Sequence, residues 1–544
     1  MTRDEAKEGA WTGLAPAMTQ RVDDPLLQLN LPREYNAARH FIDRHVEEGR
    51  GKKTAYIDDQ GSYTYAELAE RVNRAGNVLK ALGVEREQRV MLCLLDGIDL
   101  PALFWGAIKI GAVPVPISTM LKPADYDFML RDSRAKALIV SDALYEKIAP
   151  VLAGQPALKH VIVSGEKSPA GRLNFSKLLA EAEPQAKPAP TTCDDVCFWL
   201  YSSGSTGAPK GAVHLQSHLI LTADLYAIPI LGIRETDTVF SAAKLFFAYG
   251  LGNGLTFPLA VGATSILMAE RPTPSSVARV LKEKKPTIFY GVPTLYAAML
   301  ASPDLPKRGE IALRRCASAG EALPEDVGKR WTERLGVEIL DGIGSTEMLH
   351  IFVSNRPGQV RYGTTGMPVP GYDIRLLDEQ GQPVKDGELG ELQISGPTSA
   401  AYYWNNREKS RDTFLGRWTR SGDKYTRDAQ GYYTYGGRTD DMLKVSGMYV
   451  SPFEVEGALM THEAVLEAAV VGVPDEKHLI KPKAFVVLKP GQAGSAQLAS
   501  DLQEHVKSRL APFKYPRWIE FAAELPKTAT GKIQRFKLRQ RSGN

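Results

Sequence analysis

The strongest chemical signal in the sequence is the stretch Phe198-Trp-Leu-Tyr-Ser-Ser-Gly-Ser-Thr-Gly-Ala-Pro-Lys-Gly. An apolar run enters a loop of glycines and hydroxyls, ends in Lys210, and leads into a helical pattern over 215–225. Glycines let backbone N–H groups turn toward an anion, hydroxyls add donors and the lysine adds charge, which together suit a polyphosphate. It is not a Walker A loop, because Gly-Lys followed by Ser or Thr is absent. A second segment, Asp341-Gly-Ile-Gly-Ser-Thr-Glu, reads as a Gly-rich turn after an apolar run. There Thr346 can donate to a phosphate, and Glu347 can hold Mg2+, which binds through one or two carboxylates plus substrate phosphates. Alone, that segment is equally a helix N-cap. Two more segments are ambiguous singly: Arg417-Trp-Thr-Arg-Ser-Gly-Asp with Asp423 in a turn, continuing through Gly437-Arg-Thr-Asp-Asp, and Pro526-Lys-Thr-Ala-Thr-Gly-Lys-Ile.

Positioning such loops requires alternating strands and helices, and the sequence supplies them. Residues 65–80 carry apolar side chains at helical spacing, 89–95 is a buried-strand run, 101–110 reads as a helix, and 112–116 turns the chain. Uncharged strand patterns recur at 137–141, 160–164, 264–268 and 287–292, which predicts parallel sheets covered on both faces. From about 360 to 436 short strands with Gly and Asp turns predict an antiparallel, β-rich unit. Beyond Arg438 a compact α+β pattern follows, with helices at 452–460 and 497–510 and strands at 468–473, 484–488 and 518–521. The expected class is α/β: a large N-terminal domain over 1–439, with two parallel-type subdomains and the β-rich one, then a small mobile α+β domain over 440–544.

The 544 residues exceed one core at roughly 100–200 residues per domain. A net charge of +4 offers no electrostatic case for nucleic acid or a membrane surface as partner. Four scattered cysteines, Cys93, Cys193, Cys197 and Cys316, exclude a disulfide framework and argue against a zinc site. The acidic N-terminus lacks an apolar stretch, so no secretory signal is expected, and the apolar run 101–117 is too interrupted to span a bilayer. A cytoplasmic protein with reduced thiols is the expectation.

In order along the chain, the segments from Ser202, Gly344, Ser421, Gly437 and Pro526 resemble the adenylate-forming enzymes: acyl- and aryl-CoA synthetases, peptide-synthetase adenylation domains and luciferases. More narrowly, Phe246-Phe-Ala-Tyr-Gly-Leu-Gly-Asn-Gly and Gly342-Ile-Gly-Ser-Thr-Glu-Met-Leu-His are similar to benzoate–CoA ligases. The resemblance implies a carboxylate that attacks the α-phosphate of ATP, then an acyl-adenylate captured by CoA. It places Ser202, Ser203, Gly204, Ser205, Thr206, Gly207 and Lys210 on the β- and γ-phosphates. Ser318, Ala319, Gly320 and Glu321 would line the adenine, beside Asp341, Gly342, Ile343 and Ser345. Thr346 would meet the α-phosphate, Glu347 would hold Mg2+, Asp423 the ribose with Arg438 nearby, and Lys532 would be the catalytic lysine. Phe247, Tyr249, Gly250, Ile343, Gly344 and His350 would form the acid pocket; Lys444, Ser446, Gly447, Met448 and Tyr449 would face CoA; Asp440 would be the hinge. Many relatives carry an aromatic where Ile343 stands, so Tyr290 or another ring would do the stacking. The resemblance also allows a homodimer and makes Lys532 a target for a protein lysine acetyltransferase.

The leading expectation is therefore ATP- and Mg2+-dependent formation of benzoyl-CoA, AMP and pyrophosphate. Hydroxybenzoate, aminobenzoate or cyclohexanecarboxylate are alternative acids, since one polar ring group separates them. Another class, a module handing its adenylate to a protein-bound pantetheine, is disfavoured because no carrier segment follows Lys532 before Asn544. A non-catalytic nucleotide sensor would need neither Lys532 nor Asp440.

Overall fold

The computed structural model describes residues 31–202, 209–439, 441–445, 448–476, 479–527 and 533–542. One five-stranded sheet runs in the order Val113–Pro116, Arg89–Cys93, Ala137–Ser141, His160–Ser164, Leu173–Asn174, every pair parallel. A nine-stranded sheet has Arg315–Ser318, Ile288–Gly291, Thr238–Ser241 and Thr264–Ile266 parallel at its centre. Antiparallel pairs flank it at both ends, through Ser62–Thr64 and through Ile351–Ser354 with Met367–Pro368.

Alternate residues of these strands enter different cores, as period-two geometry requires. Val90 and Leu92 of the first sheet share a core with Val239, Tyr290 and Leu340 of the second. Met91 and Cys93 face a separate core on the first sheet's far side, and Phe240, Phe289 and Trp331 face another behind the second. Both sheets are therefore covered on both faces, which explains why their strands are mostly apolar.

The helix Tyr65–Ala81 begins at a capping box between Thr64 and Glu67. It packs on Asp99–Lys109, a helix buried nearly all round. Glycines set that crossing: a Cβ at Gly106 would lie 2.8 Å from Gly76 N and 2.9 Å from Val72 O. Lys109, 1% exposed, ends its helix in an ion pair with Asp43 at 2.7 Å.

Four local expectations need correction. Residues 112–116 do not turn the chain; Val113–Pro116 is an edge strand parallel to Arg89–Cys93. Val113 and Ile117 donate to Gln88 and Leu92 from one side, so the donorless prolines between them fall on the side without a partner strand. The phosphate segment does not run directly into a helix, because Lys210–Leu215 is a strand antiparallel to Val196–Ser202. The helix His218–Thr222 starts only afterward. Asp341 to Gly344 is the end of the strand Ile339–Gly344 rather than a turn, and Asp423 lies within the strand Trp418–Arg427.

An antiparallel sheet joins Asp373–Leu377, Gly390–Ser395, Trp418–Arg427 and Phe414–Leu415, with Tyr433–Arg438 on Trp418–Arg427. In the small C-terminal unit Ile480–Leu488 is the middle strand, antiparallel to Val465–Pro474 and parallel to Trp518–Phe521. Its sheet also buries two faces, Val470 and Val486 on one, Val471 and Phe485 on the other. The four cysteines are unpaired. No helix among the described residues is long and apolar enough to cross a membrane.

Candidate active site

The hairpin Val196–Ser202 with Lys210–Leu215 closes at the pair Ser202 and Lys210; residues 203–208, which hold Ser203, Gly204, Ser205, Thr206 and Gly207, lie outside the described residues. Its mouth meets the Thr346–Glu347 turn. Ser202 Oγ donates to Glu347 Oε1 at 3.2 Å, and Tyr403 Oη donates to the same oxygen at 2.6 Å. Burial, reinforced by the Glu347 charge, raises the Tyr403 phenol and keeps it a donor. Lys210 Nζ sits 5.0 Å from the centre of the Tyr403 ring. Glu347 is thus a partly exposed carboxylate aimed by two neutral donors beside a cation, a donor set that fits one Mg2+ shared with phosphates.

The turn itself is over-determined. Leu349 has φ +68°, and His350 N–H bonds back to the Met348 carbonyl at 2.9 Å, a tight γ-turn that bulky residues rarely adopt. Thr398 Oγ also donates to Met348 O at 2.8 Å, and Ala400 N–H holds Glu347 O at 2.7 Å. From the other side His214 Nε2 lies 2.8 Å from the Thr346 carbonyl. A carbonyl only accepts, so Nε2 carries the proton, and His214 Nδ1 lies 3.0 Å from His218 Nδ1. Burial holds His214 down to about 4, so this pair is neutral. Tyr403 and His214 were not singled out from the sequence; their only signals are an aromatic run at 402–404 and a histidine four residues past Lys210.

Ser318 and Asp341 are register partners at the carboxyl ends of adjacent strands, where open α/β sheets place ligands. Burial pushes the Asp341 carboxyl up to about 8. Among the described residues its Oδ1 and the Ser318 hydroxyl are buried and make no hydrogen bond. Ala319 is buried, Gly320 follows at φ +97° and is exposed, and Glu321 is half-buried. Gly342 is buried while Ile343, Gly344 and Ser345 are half-buried, and Ser345 Oγ accepts the Met348 N–H at 3.1 Å. Tyr290 is wholly buried in the sheet and offers no free face for stacking on a base. Asp423 and Arg438 pair across neighbouring strands at 3.1 Å, with Arg438 also donating to Ser421 O.

Several of the residues expected at the acid pocket lie together around His350. Phe246 is buried, so for it the packing reading holds, whereas Phe247 and Tyr249 are half-buried. Gly250 leaves no room for a Cβ against the Lys244 and Ala243 carbonyls. His350, 3% exposed, is ringed by Phe257 at 4.5 Å, Tyr226 at 5.4 Å and Tyr249 at 5.6 Å. Burial drops its imidazole to about 3, and Nε2 reaches Asn253 Oδ1 at 3.2 Å. Gly252 passes beneath that ring, where a Cβ would collide with it. Asn253, Tyr226 and Gly252 escaped sequence reasoning, although the glycine spacing at 250–254 was visible.

The remaining sites are partly outside view. Lys532, Asp440, Ser446 and Gly447 lie outside the described residues, as do the side chains of Lys444, Met448 and Tyr449, whose backbones form the hairpin Leu443–Val445 with Met448–Val450. The lysine segment is flanked by a bridge between Lys527 and Ile533.

This geometry has close parallels. The family described as AMP-binding enzyme matches residues 42–404, and the AMP-binding enzyme C-terminal domain matches 454–532. Benzoate–CoA ligase of Thauera aromatica is 64% identical over 513 residues, covering 94% of this chain and 97% of that protein. A 4-hydroxybenzoate–CoA/benzoate–CoA ligase of Rhodopseudomonas palustris is 52% identical over 514 residues, covering 93% and 94%. The crystal structure of a benzoate CoA ligase from Burkholderia xenovorans superposes with a TM-score of 0.88 at 58% identity, over 93% of this chain and 100% of that one. With both family regions matched in order and identity this high across the length, the chain belongs to the AMP-binding enzyme family.

Proposed function

We propose that the protein is an AMP-forming aryl-CoA ligase whose acid is benzoate. The observation that supports the reading is the aromatic cluster of Tyr226, Tyr249, Phe257 and His350, with His350 three residues past Glu347 across the tight turn at Leu349. The benzoate carboxylate oxygen attacks the α-phosphorus of ATP, the bond to the bridging oxygen breaks, and pyrophosphate leaves. The CoA thiol then attacks the acyl carbon, loses its proton to solvent and expels AMP. In this reading the Ser202–Lys210 hairpin and Thr346 bind the phosphates, and Asp423 takes the ribose hydroxyls. Glu347 would hold Mg2+, which when bound would supply neutralising charge on the phosphates. Domains 1–439 and 440–544 pivot at Asp440, exchanging Lys532 for Lys444–Tyr449 between the steps. Neutral His350 adds no charge beside the incoming carboxylate, so it shapes the pocket and does not bind as an ion pair. The reading places the enzyme in the cytoplasm with ATP and free CoA, and acetylation of Lys532 would silence the first step.

Pure protein given benzoate, ATP, Mg2+ and CoA should release benzoyl-CoA, AMP and pyrophosphate; ADP and phosphate instead would sink the reading. Lys532→Ala should cut adenylation by ~10²-fold or more, while thioester formation from supplied benzoyl-AMP survives. Equal loss in both half-reactions would remove the pivot assignment. A hydroxybenzoate is the second reading, favoured by the 52% identity to a ligase named for both 4-hydroxybenzoate and benzoate. The ratio of kcat/KM across benzoate and the three hydroxybenzoates decides between them.

A further inference from the structure

A buried ion pair lies just outside the acid pocket and has no part in the chemistry above. Asp96 is 4% exposed and follows the strand Arg89–Cys93 of the five-stranded sheet. Lys244 follows Thr238–Ser241 of the nine-stranded sheet, and its ammonium lies 3.8 Å from the Asp96 carboxylate. The carboxylate also accepts the Leu245 N–H at 3.3 Å. Lys244 Nζ donates in addition to the carbonyls of Met268 and, at 2.7 Å, Glu270, beyond the strand Thr264–Ile266. Three segments at the carboxyl ends of three parallel strands, drawn from two sheets, are thereby tied to one side chain.

Its own backbone carries the pocket wall. The Lys244 carbonyl accepts the Phe247 N–H at 3.0 Å, and Gly250 is packed against that same carbonyl with no space for a Cβ. Phe247 and Tyr249 stand between those two contacts, and Tyr249 reaches the His350 ring. Any shift of the Lys244 peptide therefore moves the rings that face the acid. Apolar residues of similar size commonly replace buried ion pairs without loss of stability, so stability alone gives no reason for charges here. A charge pair with fixed donors does specify one placement of a short loop.

We propose that Asp96 and Lys244 are positioning residues that set the wall of the acid pocket and so its selectivity among ring acids, an inference that rests on the aryl-acid reading. The pair is mirrored in no other part of the site: it touches neither the Ser202–Lys210 hairpin nor Glu347 in any hydrogen bond among the described residues.

The test measures kcat and KM for benzoate, 2-naphthoate and ATP in wild type, Asp96→Asn, Lys244→Met and Lys244→Arg. Expected are a benzoate KM raised tenfold or more in the first two variants and an ATP KM within twofold of wild type. The preference for benzoate over 2-naphthoate should shrink at least fivefold, and Lys244→Arg, which keeps the charge and donors, should recover most of it. The double variant Asp96→Leu with Lys244→Met guards against misfolding; it should melt near the wild-type temperature yet show the same loss of preference. Preserved selectivity in the double variant, parallel rises in both KM values, or no rescue by Lys244→Arg would each overturn the proposal. A wild type that adenylates neither acid would overturn the aryl-acid reading along with it, whereas an active wild type with unaltered variant ratios overturns the pair alone.

Discussion

Glu347 shows how a single carboxylate is prepared. One oxygen is held by Ser202 and Tyr403, and the backbone on either side is pinned by His214, Thr398 and Ala400. The charge is thus fixed in direction before any ligand arrives, which is where electrostatic help is worth most. Glu347→Gln keeps the shape and an oxygen acceptor but removes the charge. We expect ATP–pyrophosphate exchange to fall ~10²-fold or more while stability changes by less than about 1 kcal/mol, the scale of a neutral hydrogen-bond adjustment. Exchange assays beside melting curves check this; a large loss of melting temperature would make the residue structural. Glu347 and Thr346 were singled out from the sequence because their types and order could carry chemistry. Tyr403 was not, since a tyrosine on a short strand 56 residues away announces nothing until Tyr402–Tyr403 pairs with Lys210–Leu215.

Among the elements, the contact of Tyr65–Ala81 with Asp99–Lys109 is the tightest test of packing. A side chain at Gly106 would gain up to about 1 kcal/mol of helix propensity. It would also press Gly76 N, Ala75 Cβ and Val72 O at 2.8 to 2.9 Å, two of them backbone that cannot rotate away. Overpacking typically costs about 1–3 kcal/mol, so the clash wins. Gly106→Val should lower the denaturant midpoint with an unchanged slope, whereas a neutral or stabilising result would refute the close approach. Helix and strand positions were largely readable here: 452–460 and 518–521 form as Pro452–Met460 and Trp518–Phe521. The strand Val113–Pro116 was misread because two prolines signal a turn locally, and only the missing neighbour on one side makes them harmless.

For the whole molecule, buried titratable groups predict a stability maximum. Burial lowers His40, His45 and His350 to about 3 and His214 to about 4, and drops His218 well below its usual value. The unfolded chain protonates these five near pH 6.5 while the fold does not, so stability falls as pH drops from 6.5 toward 3 to 4. Burial raises Asp96 to about 6, Asp224 to about 7 and Asp341 to about 8, which acts in the opposite sense. The fold keeps those three protons after the unfolded chain has lost them, so their contribution declines as pH rises from 3.8 through 6 to 8. Between pH 4 and 6 five histidines outweigh three aspartates, and above 6.5 only the aspartates act. Melting temperatures should peak near pH 6 to 7; a profile still climbing at pH 9 would contradict these burials.

The sequence by itself determined the alternating α/β class and, through its ordered segments, the AMP-binding enzyme family, because periodicity and side-chain type are local properties. Only the tertiary structure decided that Lys210–Leu215 is a strand, that Tyr403 and His214 clamp the Glu347 turn, and that Asp96 reaches Lys244 from another sheet. The side-chain contacts among these join residues from 56 to 148 positions apart, and no local pattern records which strand ends a fold will bring together.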